Sequence, residues 1–329
     1  VENLFDATLQ GTEYEEFVPQ AGWTETDVTG RLRSLGDTLT RIRPRPDVVA
    51  LAEVENEELV DRLFDRYVVD LPTPYRVFAK NAEGATGVAI ASRYPVKSVR
   101  TLQPRTGDYP PLRPTIEVRL ALPETDITVF VNHWKSKRGG AAHTEELRRA
   151  GARMVASRLD ALWETNTKPA VIVTGDLNEE PYELVDIGGA YPTALLPAGE
   201  IATWLDRPDR APAWFDPETL PLSDSILFVD DPDDAEPIVS ALERPVLINA
   251  WSMSSGDGSY WYDGEWSQID QMLISPAVAE GEALRFVSFR PVILKRICTP
   301  DGRPMSWTES SNGVSDHLPI LLELQRRKR

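Results

Sequence analysis

Three acidic residues stand at the ends of apolar runs in distant parts of the sequence. Asp176 lies in Gly175-Asp176-Leu177-Asn178, after Ala170-Val171-Ile172-Val173. Glu53 closes the run Asp47-Val48-Val49-Ala50-Leu51-Ala52, and Asp316, in Ser315-Asp316-His317, precedes the run from Pro319 to Leu324. Short apolar runs of this kind read as buried strands. A fold that lays them side by side brings their terminal carboxylates to one rim. Crowded carboxylates raise one another's pKa unless a cation holds them. Hard divalent cations accept such oxygen ligands, and Mg²⁺ binds through one or two carboxylates plus water and phosphate oxygens. The pattern outlines metal-assisted hydrolysis of a phosphoester.

Taken singly, each residue has a blander reading. Glu53 alone is a solvated strand-end carboxylate, and Glu55 a solvated helix start. Asp176 and Asn178 share one side of a strand end, because alternate residues face the same way, yet Gly-Asp-Leu-Asn alone equally describes an Asx-type strand exit. His317 is one of three histidines, and a lone strand-start His is usually satisfied by backbone. Here Asp316 stands beside it. Lys135, Lys137 and Arg138 with Gly139-Gly140 form a basic turn, either a phosphate handle or a solvated loop. Arg113 is a weaker phosphate candidate. His143 lies outside every motif and reads as a residue that caps or precedes a helix.

The elements that must position these residues follow from periodicity. Leu32, Leu35, Leu39 and Ile42 give one helical face over residues 29–43, which Pro44 and Pro46 end. Val60, Leu63, Phe64 and Tyr67 repeat that spacing over 56–67. Thr144 reads as the cap of a helix with Glu145 and Glu146 in its first turn, and with Leu147, Met154, Val155, Leu159 and Leu162 on its buried face. Strands are expected at 47–53, 87–92, 115–122, 127–131, 170–174, 226–229, 246–251, 268–274, 286–294 and 320–324. Residues 179–222 read as a long irregular excursion, and residues 252–266 as a second long loop, with the Ser-, Gly- and Asp-rich stretch 254–264 mobile. Nothing marks a linker or a repeat, so one domain over 1–329 is expected.

Composition narrows the classes. The chain has 329 residues, 41% of them hydrophobic, and a net charge of −17. Proteins that bind many phosphates non-specifically are usually basic, which argues against a scanning DNA-binding protein. A nuclease remains compatible, since a metal ion and a local basic patch can supply the positive field. No run of about 18 apolar residues exists, so no membrane span is expected. Val1–Asp6 does not read as a signal peptide, and a leader removed ahead of it is compatible with the sequence, so cytoplasm, periplasm and exterior all fit. Cys298 is the single cysteine; it reads as a packing residue. A Zn²⁺ site is disfavoured because no Cys/His set has suitable spacing. The basic tail from Arg326 to Arg329 reads as solvated.

Seven motifs, in order, resemble the endonuclease/exonuclease/phosphatase superfamily, of deoxyribonuclease I-like enzymes. They are Val1-Glu2-Asn3-Leu4-Phe5-Asp6, Leu51-Ala52-Glu53, Gly87-Val88-Ala89-Ile90 through Ser92-Arg93, Asn132-His133, Gly175-Asp176-Leu177-Asn178, Ile269-Asp270-Gln271-Met272-Leu273 and Ser315-Asp316-His317. The spellings of Val1–Asp6 and Asn132-His133-Trp134-Lys135-Ser136 are most similar to a bacterial branch. In this family an Asn usually precedes the residue matching Val1, and Asn3 is not its equivalent.

The resemblance implies an α/β (α+β) fold of two mixed β-sheets packed face to face with helices outside, a four-layer sandwich. It implies Glu53 as the principal metal ligand, with Asp316 contributing. Asp176 would orient or deprotonate water, and Asn178 would donate to the phosphate or to water. His317 would face the scissile phosphate, held doubly protonated by Asp270. His133 would assist the leaving oxygen, and Asn132, Lys135 and Arg113 would contact substrate. The implied cofactor is Mg²⁺, with Mn²⁺ or Ca²⁺ as substitutes. The implied substrate is DNA or RNA, cleaved by a monomer. The competing readings are a phosphatase or phosphodiesterase on lipid, inositol or other small phosphoesters, and a catalytically silent binding protein. Trp204, Trp214, Trp261, Tyr262 and Trp266 read either as a nucleic-acid platform or as loop anchors.

Overall fold

Strand order places the site. The computed structural model describes residues 1–326 apart from Asp108, 217–221, 309–310 and 312. Eight strands form one mixed sheet, in the spatial order Val96–Leu102, Thr115–Ala121, Asp126–His133, Val171–Asp176, Asp270–Ile274, Val246–Asn249, Ile226–Val229 and Leu195–Pro197. Asp126–His133 runs parallel to Val171–Asp176, and the last three strands are parallel to one another. A second layer holds the antiparallel strands Val48–Val54, Gly87–Ser92 and Tyr75–Ala79 and the antiparallel pair of Leu284–Pro291 with Ile320–Arg326.

Alternation along the strands separates the faces. Val129, Val131 and Ile172 of the large sheet pack with Val88 and Ile90 of the small one. Their neighbours Phe130, Val171 and Val173 point the other way, onto Val155 and Leu159 of the helix Ala141–Thr165. Ala89 and Ala91 turn outward onto Val28, Leu32 and Leu35 of the helix Glu25–Arg41. Period-two burial therefore yields four layers, helix–sheet–sheet–helix, the sandwich that the family resemblance implies, with its second layer antiparallel and divided in two. Between the sheets lies a cavity of about 490 Å³, bounded by the strand segments 48–52 and 318–324 and reaching Asp176, Asp270 and His317.

Several local expectations need correction. The first helix starts earlier, at Glu25, because Thr24 and Asp27 form a capping box. The second is split into Glu57–Arg62 and a π-helical turn, Leu63–Tyr67. Thr144 is not a cap: its helix begins at Ala141, after Gly140, and Thr144 Oγ1 donates back to the Gly140 carbonyl at 2.9 Å. His143 is exposed inside that first turn, and Glu145 is buried rather than facing solvent. The excursion 179–222 contains the helices Glu183–Asp186 and Ala198–Asp206 and the strand Leu195–Pro197; part of it, 217–221, is outside the described residues. The loop 252–266 carries a hairpin, Tyr260–Tyr262 paired with Glu265–Ser267. Cys298 is buried. Of the basic tail, Arg326 ends the last strand, and 327–329 lie outside the described residues.

Candidate active site

Three neighbouring strands deliver three side chains in a row. In the sheet register His133 stands opposite Asp176, and Asp176 opposite Asp270. Gly175 makes this possible. It sits at φ 124, and a Cβ there would come within 2.0 Å of the Asn132 carbonyl oxygen, so no other residue lets the strands approach at this point.

Glu53 arrives from the opposing sheet. The register of its strand shifts between Ala52 and Val54, and Glu53 itself takes φ 64. A bulge re-aims a side chain, and a non-glycine residue in the left-handed region is strained in a way typical of functional sites. Asn3 N–H donates to Glu53 Oε2 at 2.8 Å, tying the first motif to the carboxylate.

Charge is distributed unevenly across the row. His317 Nδ1 lies 2.7 Å from Asp270 Oδ2. Burial alone would depress the imidazole, but Asp270 first, then Asp176 and Asp316, lift its pKa to about 10. Burial pushes the Asp270 carboxyl upward, yet His317 holds it below the usual range. At neutral pH the two are an ion pair. Ser259 Oγ donates to the same Asp270 oxygen at 2.5 Å. Asp176 behaves oppositely. Burial, with the charges of Asp270 and Glu53 added, raises it to about 7, although His317 pulls it down.

His133 Nε2 lies 3.7 Å from Glu53 Oε1 and 3.5 Å from Asp176 Oδ2. Complete burial, then the cations Arg113 and His317, hold its pKa well below the ordinary value. It is therefore a neutral ring set between two carboxylates, and these are not ion pairs. Its Nδ1 has no partner. The ring, expected to assist a leaving oxygen, thus stands with its Nε2 toward Glu53 and Asp176.

Other sequence candidates are engaged differently than expected. Asn132 is wholly buried. Its amide donates to the Thr174 carbonyl at 3.1 Å and its oxygen accepts from Thr115 Oγ1 at 2.6 Å, so it braces the strands instead of meeting phosphate. Arg113 donates to the His133 and Trp134 carbonyls at 3.2 and 2.9 Å. Asn178 donates to the Trp134 carbonyl at 3.3 Å, which leaves it one free N–H. Lys135 is half-buried, and burial with Arg113 lowers its pKa. Asp316 stands partly exposed, 3.9 Å from His317 Nε2. Glu55 is no solvated helix start: it is fully buried, pushed up to about 7 by that burial, and accepts from Asp6 N–H at 2.7 Å.

Two rim residues escaped the sequence reading. Burial and Asp316 raise the pKa of Glu2, and its Oε2 is buried without a partner. Arg31 is 3% exposed. Burial depresses its guanidinium to about 10, against the pull of Glu2, Glu53 and Asp316. A signal existed, since Arg31 occupies the apolar stripe that holds Val28, Leu32 and Leu35. The rim therefore collects Glu2, Glu53, Asp176 and Asp316 beside the His317–Asp270 pair, with Arg31 behind.

A second acidic cluster lies elsewhere. Glu145, Glu179 and Glu183 bring carboxylate oxygens within 4.8 Å of one another. Arg148 forms ion pairs with Glu145 and Glu179, the latter at 2.6 Å, and Lys137 reaches Glu183 at 2.6 Å. Ala194 N–H donates to Glu145 and Glu179. The oxygens of Glu145 and Glu179 are thereby occupied, while Glu183, among the described residues, pairs with Lys137 alone.

A model of the Endonuclease/Exonuclease/phosphatase family matches residues 1–186, more than half of the chain. The fold is similar to that of a functionally unknown conserved protein from Enterococcus faecalis V583, at 12% identity and TM-score 0.53 over 99% of this chain and 98% of that one. It is also similar to D. rerio TDP2 in complex with a single-strand DNA product, at 14% identity and TM-score 0.52 over 91% and 93%. A family protein from Leptotrichia buccalis C-1013-b matches at 14% identity and TM-score 0.50 over 92% and 94%. No curated protein matches the sequence.

Proposed function

We propose, from the premise that the chain belongs to the endonuclease/exonuclease/phosphatase family and is a hydrolase of phosphodiester bonds, that its substrate is a nucleic acid and its cofactor a divalent cation. The observation that carries this reading is the row His133–Asp176–Asp270 across adjacent strands, completed by His317 and faced by Glu53. The DNA product bound to the D. rerio protein of similar fold agrees with it.

In chemical type the donor set suits a hard cation. Three carboxylate oxygens lie within 4.8 Å of one another only at Glu145, Glu179 and Glu183 among the described residues, so an ion at the rim would draw on two carboxylates plus water and phosphate oxygens. Glu53 and Asp316 offer carboxylate oxygens, Glu2 Oε2 is buried without a partner, and no Cys/His set suits Zn²⁺. Glu53 and Asp316 would hold Mg²⁺, with Mn²⁺ or Ca²⁺ as substitutes. When bound, the ion supplies charge neutralisation at the phosphate.

The remaining chemistry belongs to the chain. Asp176, with a pKa of about 7, is poised near neutrality and accepts a proton from the attacking water as its oxygen bonds to phosphorus and the bond to the leaving oxygen breaks, the leaving alkoxide taking its proton from solvent. His317 commits Nδ1 to Asp270 and directs its Nε2–H at a non-bridging phosphate oxygen. There the fixed positive charge stabilises what builds up in the transition state. His133 orients Glu53 and Asp176, and Asn178 offers its free N–H to phosphate or water.

A substrate panel tests this: single-stranded DNA, RNA, bis(p-nitrophenyl) phosphate and a choline phosphodiester, each in Mg²⁺ and in excess chelator. Oligonucleotides should be cleaved in Mg²⁺ and not in chelator. Glu53→Gln should lower turnover by about 10²–10⁴, the range for losing a key electrostatic or acid–base group. Undiminished turnover in chelator would sink the metal assignment.

A further inference from the structure

Five aromatic residues in the loop-like segments were candidates for a substrate platform, and four are occupied. Trp204 is buried and packs edge-on against Trp214 and Phe215. Trp214 donates to the Gly189 carbonyl at 2.7 Å. Trp261 and Trp266 meet at 5.3 Å across the 260–267 hairpin, and the Arg303 guanidinium covers Trp261 at 4.3 Å. Tyr262 is different: it is 68% exposed.

The element carrying Tyr262 is fixed to the catalytic pair. Asp263 and Gly264 take φ 49 and 90, the two positive values of a type I′ turn, which suits a two-residue hairpin. Ser259, at the base of the hairpin, donates to Asp270 through its side chain at 2.5 Å. Its carbonyl accepts from Leu318 N–H at 2.7 Å, and Tyr260 forms a single antiparallel bridge with His317. The hairpin is thus hydrogen-bonded both to the partner of the imidazole and to the segment bearing it.

On this element, Tyr260 and Tyr262 share one face. The Tyr260 ring lies 4.5 Å from the His317 imidazole, and the Tyr262 ring continues 6.1 Å beyond it, only 8° from parallel to Tyr260. Tyr260 is tilted 32° to the imidazole and nearly parallel to Tyr262, so a pair of aligned rings leads outward from His317. Rings this close to parallel present one flat face rather than walls enclosing a cation. Flat faces suit a nucleobase, which stacks whatever its identity. Asp263 and Glu265 at the tip oppose a long phosphate track, so the face serves the bases beside the scissile bond and not an extended footprint.

We propose that the Tyr260–Tyr262 face of this hairpin is a stacking subsite for a nucleobase adjacent to the scissile phosphate. The inference rests on the nucleic-acid reading above and names the contact that reading lacks.

The test uses the full chain and a short single-stranded oligonucleotide, intact or with one base beside the cleavage point replaced by an abasic residue. Tyr262→Ala should weaken oligonucleotide binding in chelator, and raise KM in Mg²⁺, by ~5- to 150-fold, the loss expected when the ring under one base is removed. Tyr262→Trp should restore both. On the abasic oligonucleotide, Tyr262→Ala should do little more than the missing base has done already. Equal affinity of wild type and Tyr262→Ala for the intact oligonucleotide, with cleavage retained, overturns the platform and leaves the nuclease reading standing. A wild type that cleaves only the choline phosphodiester, with KM raised by Tyr262→Ala, overturns both and turns the rings into a headgroup contact.

Discussion

The molecule gathers carboxylates in two places and treats them in opposite ways. Glu145, Glu179 and Glu183 meet around Arg148, with Lys137 on Glu183 and a backbone N–H on the other two. Burial and neighbouring glutamates push Glu179 upward, yet Arg148, itself wholly buried, gives the cluster a compensating charge inside the fold. At the strand-end rim, Arg31 lies close behind Glu2, Glu53 and Asp316, and the His317 cation is already paired with Asp270. Acidity alone therefore does not mark a metal or catalytic centre. The inner cluster is closed in the sense that Arg148 and Lys137 neutralise it from within. At the rim Glu53 and Asp176 accept backbone N–H groups, from Asn3 and Asn178, but no Arg or Lys pairs with them among the described residues, and a buried charge without such a partner is a cost that a bound cation relieves.

The largest expected effect tests the closed cluster. Arg148→Met leaves Glu145 and Glu179 buried without their cation, and breaking such a pair from one side costs about 3–5 kcal/mol. Asp176→Asn does the reverse. At pH 8 and in chelator it removes a carboxylate that burial disfavours, so stability should hold or rise. Urea unfolding of both variants measures the contrast. Equal destabilisation would mean that the rim is as internally compensated as the core cluster.

The next effect concerns a ligand. Mg²⁺ at 100 times its Kd should stabilise the folded chain by about 2.7 kcal/mol. The resulting thermal shift should vanish in Glu53→Gln and survive in Glu183→Gln. The opposite pattern would transfer the cation to the inner glutamates and reverse the comparison.

Much of the rim was legible in the sequence because each carboxylate ends a run of apolar residues, and burial of those runs dictates where the ends fall. Glu53, Asp176 and Asp316, with His317 beside it, could be named for that reason, whereas Asp270 could be named only through the family resemblance. What stayed hidden depended on contacts between segments distant in the chain. Nothing local distinguishes Arg31 from a solvated helix residue except its place in an apolar stripe. Glu55 looks like a helix start until the N-terminal segment folds over it and Asp6 N–H finds its oxygen. Thr144 has the residue type of a cap, but Gly140 takes the φ of 110 that starts the helix a turn earlier. The hairpin at 260–267 did carry its signal, Asp263-Gly264 between aromatic residues, which the surrounding Ser- and Gly-rich composition obscured. The helix Pro232–Leu242 has a Pro in its interior, a pattern that argues for a loop until tertiary packing overrides it.

The smallest effect, and the one that separates a working pair from two neighbours, lies at His317 and Asp270. His317 has its pKa raised from 6.5 to about 10 in the folded chain. Its contribution to stability is therefore complete below about pH 6.5 and fades as pH rises through 10. Asp270 is held below the usual carboxylate value, so its contribution is present above that value and fades as the solution is acidified through the folded pKa. The pair is worth most between the two ranges. Asp270→Asn should lower the His317 pKa by a unit or more, each unit being about 1.4 kcal/mol, as read from the imidazole resonances in chelator. The stability gap between wild type and Asp270→Asn should be widest near pH 6 and shrink toward pH 10. In Mg²⁺, the rate of Asp270→Asn should fall away at a lower pH than that of wild type. His317→Ala should remove most of the rate, and Asp270→Asn added to it should remove little more, because the imidazolium that Asp270 sustains is already gone. Losses that add in free energy would show two independent residues, and would return Asp270 to the role of a strand-start carboxylate.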